Sequence, residues 1–118
     1  MKTKGKIKNI SSFNNFLFIR SESDVYRVNI DDLLYIKSSG NTLIVQTVNN
    51  RFITYATMMY VDNLLSKKGF YRVSRSYIVP IAKIDSILGN DINIGQIKIP
   101  LGGLYKQAFL EFLSKIVS

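Results

Sequence analysis

The sequence predicts a mainly β fold: short strands joined in antiparallel hairpins, with two helices, as in a small sandwich. Three observations carry this. Short apolar runs rich in Val, Ile, Tyr and Phe recur along the chain, each too brief for a helix. Turn pairs such as Asn49-Asn50, Gly89-Asn90 and Gly95-Gln96 punctuate them. Only the stretches 58–68 and 104–117 keep apolar residues at helical spacing.

Taken in order, residues 1–15 are polar and basic and read as a flexible tail or linker, leaving 16–118 as the folded domain. The tail could be an arm that touches DNA or a plain connector. Phe16–Ile19 is a buried strand, and Ser21-Glu22-Ser23-Asp24 is turn chemistry. Val25–Ile30 alternates, with Tyr26, Val28 and Ile30 on one face. A short turn at Asp31-Asp32 leads to a strand over Leu34–Lys37 and a loop at Ser38–Asn41. Thr42–Val48 and Arg51–Tyr55 form a hairpin about Asn49-Asn50, where Asn tolerates positive φ. Thr57 caps a helix over Met58–Lys68 that presents Met58, Val61 and Leu65 on one face. Lys67, Lys68 and Gly69 are its stop signals.

Two strands, Phe70–Val73 and Tyr77–Ile81, flank the polar Ser74-Arg75-Ser76. Three further strands follow, Ile84–Leu88, Asp91–Ile94 and Ile97–Leu101, before Gly102-Gly103 breaks the pattern. In the last helix Leu104, Ala108, Phe112 and Ile116 stack at i+4, with Tyr105, Phe109 and Leu113 beside them. That broad apolar face is expected to pack on the sheets, with self-association as the alternative.

Composition narrows the chemistry. A chain of 118 residues fits one domain, and 47% hydrophobic residues supply a continuous core. The absence of Cys removes disulfides and thiolate chemistry and fits a reducing cytoplasm. The absence of His removes the usual proton shuttle and the commonest metal ligand. No apolar run reaches the roughly 18 residues a membrane span needs. Asp31 and Asp32 are adjacent and suit local amide contacts better than paired acid–base work. Ser74, Ser76 and Lys83 could form a Ser–Lys pair only by chance of folding. No phosphate-binding glycine loop is present. No catalytic residue, metal site or cofactor is therefore expected, and the chain reads as a binding protein.

The net charge of +8 points to an anionic partner, nucleic acid or an anionic membrane surface. Half of it sits in Lys2, Lys4, Lys6 and Lys8. Between Asp62 and Asp85 the chain carries Lys67, Lys68, Arg72, Arg75 and Lys83 with no acid. Cations and hydroxyls on a rigid strand pair suit a phosphate backbone, and an Arg fork also fits the edge of guanine.

The segment Phe70-Tyr71-Arg72-Val73-Ser74-Arg75-Ser76-Tyr77-Ile78-Val79 resembles the signature of the LytTR DNA-binding domain, usually Phe-Phe-Arg-Val-His-Arg-Ser-Tyr-Ile-Val-Asn. Asp31-Asp32-Leu33-Leu34-Tyr35-Ile36 and Ile97-Lys98-Ile99-Pro100-Leu101 are similar to two further family motifs, in the right order and spacing across about residues 16–113. The resemblance implies an elongated stack of small antiparallel sheets with two short helices. It also implies duplex DNA as the partner, bound by pairs of copies on repeated sites, in bacterial transcription control. Family members usually carry an upstream receiver domain, so the chain would be either a stand-alone regulator or a fragment.

Carried over by position, the DNA-contacting residues would be Ser39, Asn41 and Thr42 in one loop, Arg72, Ser74 and Arg75 in the signature, and Gly102, Gly103 and Lys106 at the last helix. Arg75 is the expected base reader. Asn41 could read adenine, bond phosphate or simply hold a positive-φ turn. Short hydroxyls suit phosphate oxygens. Arg72 could instead pair an acid within the strand, and Lys106 could be a solvated helix residue. Gly102-Gly103 stands where the family commonly has Ser-Arg, which removes one specificity determinant. The rival readings are a protein-interaction module that has lost DNA binding, and a single-stranded RNA binder stacking bases on Tyr71 and Tyr77.

Overall fold

In the computed structural model, which describes residues 9–117, the chain folds hairpin by hairpin. Strands β1 (Ile10–Phe13), β2 (Phe16–Ser21) and β3 (Asp24–Asn29) form a three-stranded antiparallel sheet. Leu17, Ile19 and Val28 are buried, so one face of this sheet looks inward. Tyr26 keeps to the same face as Val28, opposite the buried Ile19, but sits at its rim: it is exposed, and its ring leans on Phe52 at 5.1 Å.

The expected tail over residues 1–15 does not extend through Ile10–Phe13. That segment is strand β1, in register with β2 from Ile10↔Ile19 to Phe13↔Phe16, and Ile10 is fully buried. Burying an isoleucine and pairing the backbone of β2 both favour this order. The tail's Lys2, Lys4, Lys6 and Lys8 lie outside the described residues.

The central sheet contains β4 (Leu33–Ser39), β5 (Thr42–Thr47), β6 (Arg51–Thr54), β7 (Phe70–Ser74) and β8 (Tyr77–Pro80), in the spatial order β6-β5-β4-β8-β7. The third sheet is a meander of β9 (Ser86–Leu88), β10 (Asp91–Ile94) and β11 (Ile97–Pro100). Helix α1 (Met58–Leu65) connects β6 to β7, and α2 (Leu104–Ile116) ends the chain. Thr57 Oγ1 accepts the Tyr60 amide at 3.1 Å and so caps α1, as the sequence predicts. A 3₁₀ turn over Ser66–Lys68 extends that helix to Gly69, which adopts the left-handed φ of 85°.

Two turns differ in detail from the sequence reading. In the β4–β5 hairpin Gly40, not Asn41, holds the positive φ, at 62°. Neither Asn49 nor Asn50 has a positive φ; that turn is held by Thr47, whose Oγ1 accepts the Asn50 amide at 2.8 Å.

Both faces of the central sheet are covered. On one side Leu33, Ile36, Leu43, Val45, Phe70 and Ile78 meet the first sheet and the Met58, Val61 and Leu65 face of α1. On the other, Val73 and Val79 join Ile92, Ile94, Ile99, Leu101 and Phe109. Bulges at Leu34 and Val73, where the β4–β5 and β7–β8 registers shift, break the strict alternation of faces, so that the adjacent Leu34 and Tyr35 both pack on the second core. The molecule measures 53 × 28 × 27 Å, an elongated stack of small antiparallel sheets with two helices.

Helix α2 is turned differently from the expected i+4 stripe. Phe109 is its fully buried residue, with Tyr105, Phe112 and Leu113 half-buried around it. Leu104, Ala108 and Ile116 are exposed. Aromatic contact sets this rotation: Tyr71 of β7 meets Phe109 at 5.1 Å and Phe112 at 4.8 Å between ring centroids.

Candidate nucleic-acid interface

Three polar segments, far apart in sequence, are tied together at one end of the central sheet by backbone hydrogen bonds. The Ser38 amide donates to the Ser76 carbonyl at 2.9 Å, which sets the Gly40 hairpin beside the β7–β8 turn. The Gly102 amide donates to the Val73 carbonyl at 3.4 Å, which brings the start of α2 against the same turn. Between the last two segments lies an open cleft of about 580 Å³, lined by Lys37, Ser74, Arg75, Ser76, Tyr77, Pro100 and residues 102–105. Its lining carries two cations and no carboxylate.

Arg75 occupies the first position of the two-residue turn closed by the Ser74↔Tyr77 pair, and it is exposed. Its guanidinium has no hydrogen-bond or ion-pair partner among the described residues. Ser74 Oγ accepts the Ser76 amide at 3.3 Å, leaving its own proton available to an incoming acceptor. Ser39 and Asn41 are exposed in the neighbouring hairpin and flank the cleft rather than line it. Thr42 Oγ1 donates to the Ser39 carbonyl at 2.8 Å; its single proton closes the hairpin and is not free for a phosphate.

Arg72 lies behind the turn. Its Nη2 donates to the Arg75 carbonyl at 2.7 Å, and its guanidinium carbon sits 4.8 Å from the Tyr105 ring centroid. Arg72 thus links the signature turn to the first turn of α2. Burial pushes the nearby Asp62 carboxyl above the usual range, and the Arg72 charge offsets part of that rise. Lys106 is also engaged: its Nζ donates to Asn90 Oδ1 in the β9–β10 turn, and it borders a separate groove with Gln107, Leu110 and Glu111.

Gly103 has φ 64° and ψ −150°, a backbone region essentially confined to glycine. An added Cβ there would meet nothing within 4 Å, so conformation rather than space calls for glycine. No side chain caps the amides of α2 behind it.

The structure separates the Ser and Lys groups considered for catalysis. Ser74 belongs to the β7–β8 turn, whereas Lys83, beyond the other end of β8, donates to the Asp31 carbonyl and to the Leu33 carbonyl, the latter at 2.9 Å. Tyr71, considered as a base-stacking platform, is packed against Phe109 and Phe112, and Tyr77 lies between Tyr35 and Lys37. Among the described residues, no group of three potential metal-binding side chains occurs, and no helix is long and apolar enough to cross a membrane.

Sequence reading missed Lys37, Pro100, Leu104 and Tyr105 as cleft residues. Lys37 reaches the cleft because β4 pairs with β8, Lys37 opposite Tyr77, and its Nζ lies 5.7 Å from that ring's centroid.

Comparison with known proteins identifies the family. The family model for the LytTr DNA-binding domain matches residues 23–114. The chain is 29% identical over 87 residues to the sensory transduction protein LytT of Bacillus anthracis, a match covering 74% of this chain and 35% of that protein. It is 28% identical over 89 residues to the LytT protein of Bacillus cereus, covering 74% of this chain and 36% of that protein. The matched region thus spans about a third of the length of these curated relatives. Among solved structures, a LytTr DNA-binding domain from Bacillus cereus superposes with a TM-score of 0.74 at 16% identity, covering 84% of this chain and 96% of that one. The chain belongs to the LytTr DNA-binding domain family.

Proposed function

We propose that this domain binds duplex DNA sequence-specifically, as the output domain of a cytoplasmic bacterial transcription regulator. Two copies would occupy repeated sites, and a receiver or sensor domain would govern them where the chain is part of a longer protein. The single observation that carries the reading is the convergence of three polar segments on a carboxylate-free cleft with the unpartnered Arg75 at its lip. Arg75 then reads a base. Lys37, Ser39, Asn41, Ser74 and the backbone at Gly102-Gly103 contact phosphate or base edges. Thr42, Arg72 and Lys106 act chiefly by holding those segments in place.

Titration of short duplexes across salt concentrations tests this. Each phosphate neutralised contributes about −0.9 to the slope of log K against log salt, and the domain is expected to show a slope of roughly −3 to −6. Lys37→Ala should flatten that slope by about one unit. Arg72→Ala should weaken binding yet leave the slope unchanged, because its charge faces Arg75's carbonyl and the Tyr105 ring rather than a phosphate. A slope near zero for the parent protein, or no binding at low salt, would favour the protein-interaction reading. Tighter binding to single-stranded RNA of the same length would favour the RNA reading.

A further inference from the structure

We infer that Leu104 is a specificity-determining contact that reads the C5 methyl group of a thymine in the major groove. This rests on the duplex-binding reading above and names a determinant for it.

Leu104 is the first residue of α2 and is 93% exposed, the highest exposure among the large hydrophobic residues described. It lines the same cleft as Lys37, Ser74 and Arg75. The helical rows running from it carry Gln107, Ala108, Glu111, Ser114 and Lys115, all exposed and mostly polar. An extended apolar interface along that face is therefore not built around Leu104. In the cleft it stands with Pro100, Tyr77 and Tyr105 beside Lys37, Ser74 and Arg75, a mixed lining that suits a small apolar group embedded in a polar partner.

Major-groove edges offer one such group. Guanine, cytosine and adenine present donors and acceptors there, and thymine adds a methyl. The position is also well held. Gly103's glycine-only conformation sets the entry of α2, the Gly102 amide ties it to Val73, and Tyr105, next along the helix, packs over Arg72.

The test uses the whole chain and a duplex selected by it from a randomised pool. Each thymine of the selected duplex is replaced in turn by deoxyuridine, which deletes only the methyl. One such replacement should weaken binding of the parent protein about fourfold, the effect of one buried methyl. Leu104→Ala should lose about three- to tenfold on the thymine duplex and become indifferent to that replacement, with an unchanged salt slope. Its exposure means the variant should fold normally, which circular dichroism checks. If every deoxyuridine duplex affects parent and Leu104→Ala alike, or if Leu104→Ala binds as the parent does, the inference is overturned while DNA recognition through Arg75 stands. If the parent enriches no duplex from the pool, both readings fall.

Discussion

Arg75→Ala is expected to weaken binding to the preferred duplex by about 1–3 kcal/mol and to cost less on random duplex of the same length. The expectation follows from the free guanidinium at the tip of a turn that is rigid on both sides. Arg72 holds the Arg75 carbonyl, the Ser74 hydroxyl holds the Ser76 amide, and the Ser76 carbonyl holds β4. The backbone that presents the fork is thus already fixed when the guanidinium meets guanine N7 and O6. Arg75→Lys should keep non-specific binding but relax sequence preference, since an ammonium cannot make the paired contact. Competition titrations against random duplex separate the two effects. Equal losses on preferred and random duplex would make Arg75 a phosphate contact, and an unfolded Arg75→Ala protein would make it structural.

The larger effect on stability is expected from Phe109→Ala, at about 3–5 kcal/mol in a domain whose total stability is of order 5–15 kcal/mol. Phe109 is fully buried and anchors α2 on Tyr71, Val73 and the third sheet. Removing the ring leaves a cavity between helix and sheet that neither can close without moving the other. Urea unfolding followed by circular dichroism measures the loss. Because residues 102–105 of the cleft precede this anchor, the variant should also lose DNA affinity at urea concentrations where it is still mostly folded. A change below about 1 kcal/mol would mean that α2 is held by the third sheet and not by Phe109.

Much of the fold was legible in the sequence because hairpins advertise themselves locally. Glycine and asparagine pairs mark the turns, and Thr57 and Gly69 bracket α1 where a cap and a left-handed stop belong. Strand β1 was not legible. Ile10-Ser11-Ser12-Phe13 buries one side chain fully, so it shows no alternation and is defined only by its partner β2. The facing of α2 was hidden for the opposite reason. Apolar residues surround much of the helix, and partners distant in sequence, the Tyr71 ring and the third sheet, select Phe109 over Leu104. At the cleft, Arg75 could be singled out from its polar, acid-poor surroundings. Arg72 could not be told from an outward-facing strand cation, because the bulge at Val73 and the position of Tyr105 set its direction. Lys37 needed a strand pairing that no local pattern announces.

That pairing also bears on how the domain is made. Among the described strands, every ladder except β4–β8 joins sequence neighbours. The exception rests on Ile36↔Ile78 and Lys37↔Tyr77, closing a loop of about forty residues. Local hairpins form within about 1–10 μs, whereas closing a long loop adds an entropic barrier that local turns do not face. The β4–β8 joint is therefore expected to be late, and it is the joint that seats the Gly40 hairpin against the Arg75 turn. A partly folded chain with all its hairpins formed would still lack the assembled recognition end. During refolding, recovery of duplex binding should follow the slowest kinetic phase and not precede it. A nascent or damaged copy would then be silent on DNA rather than bound in the wrong place.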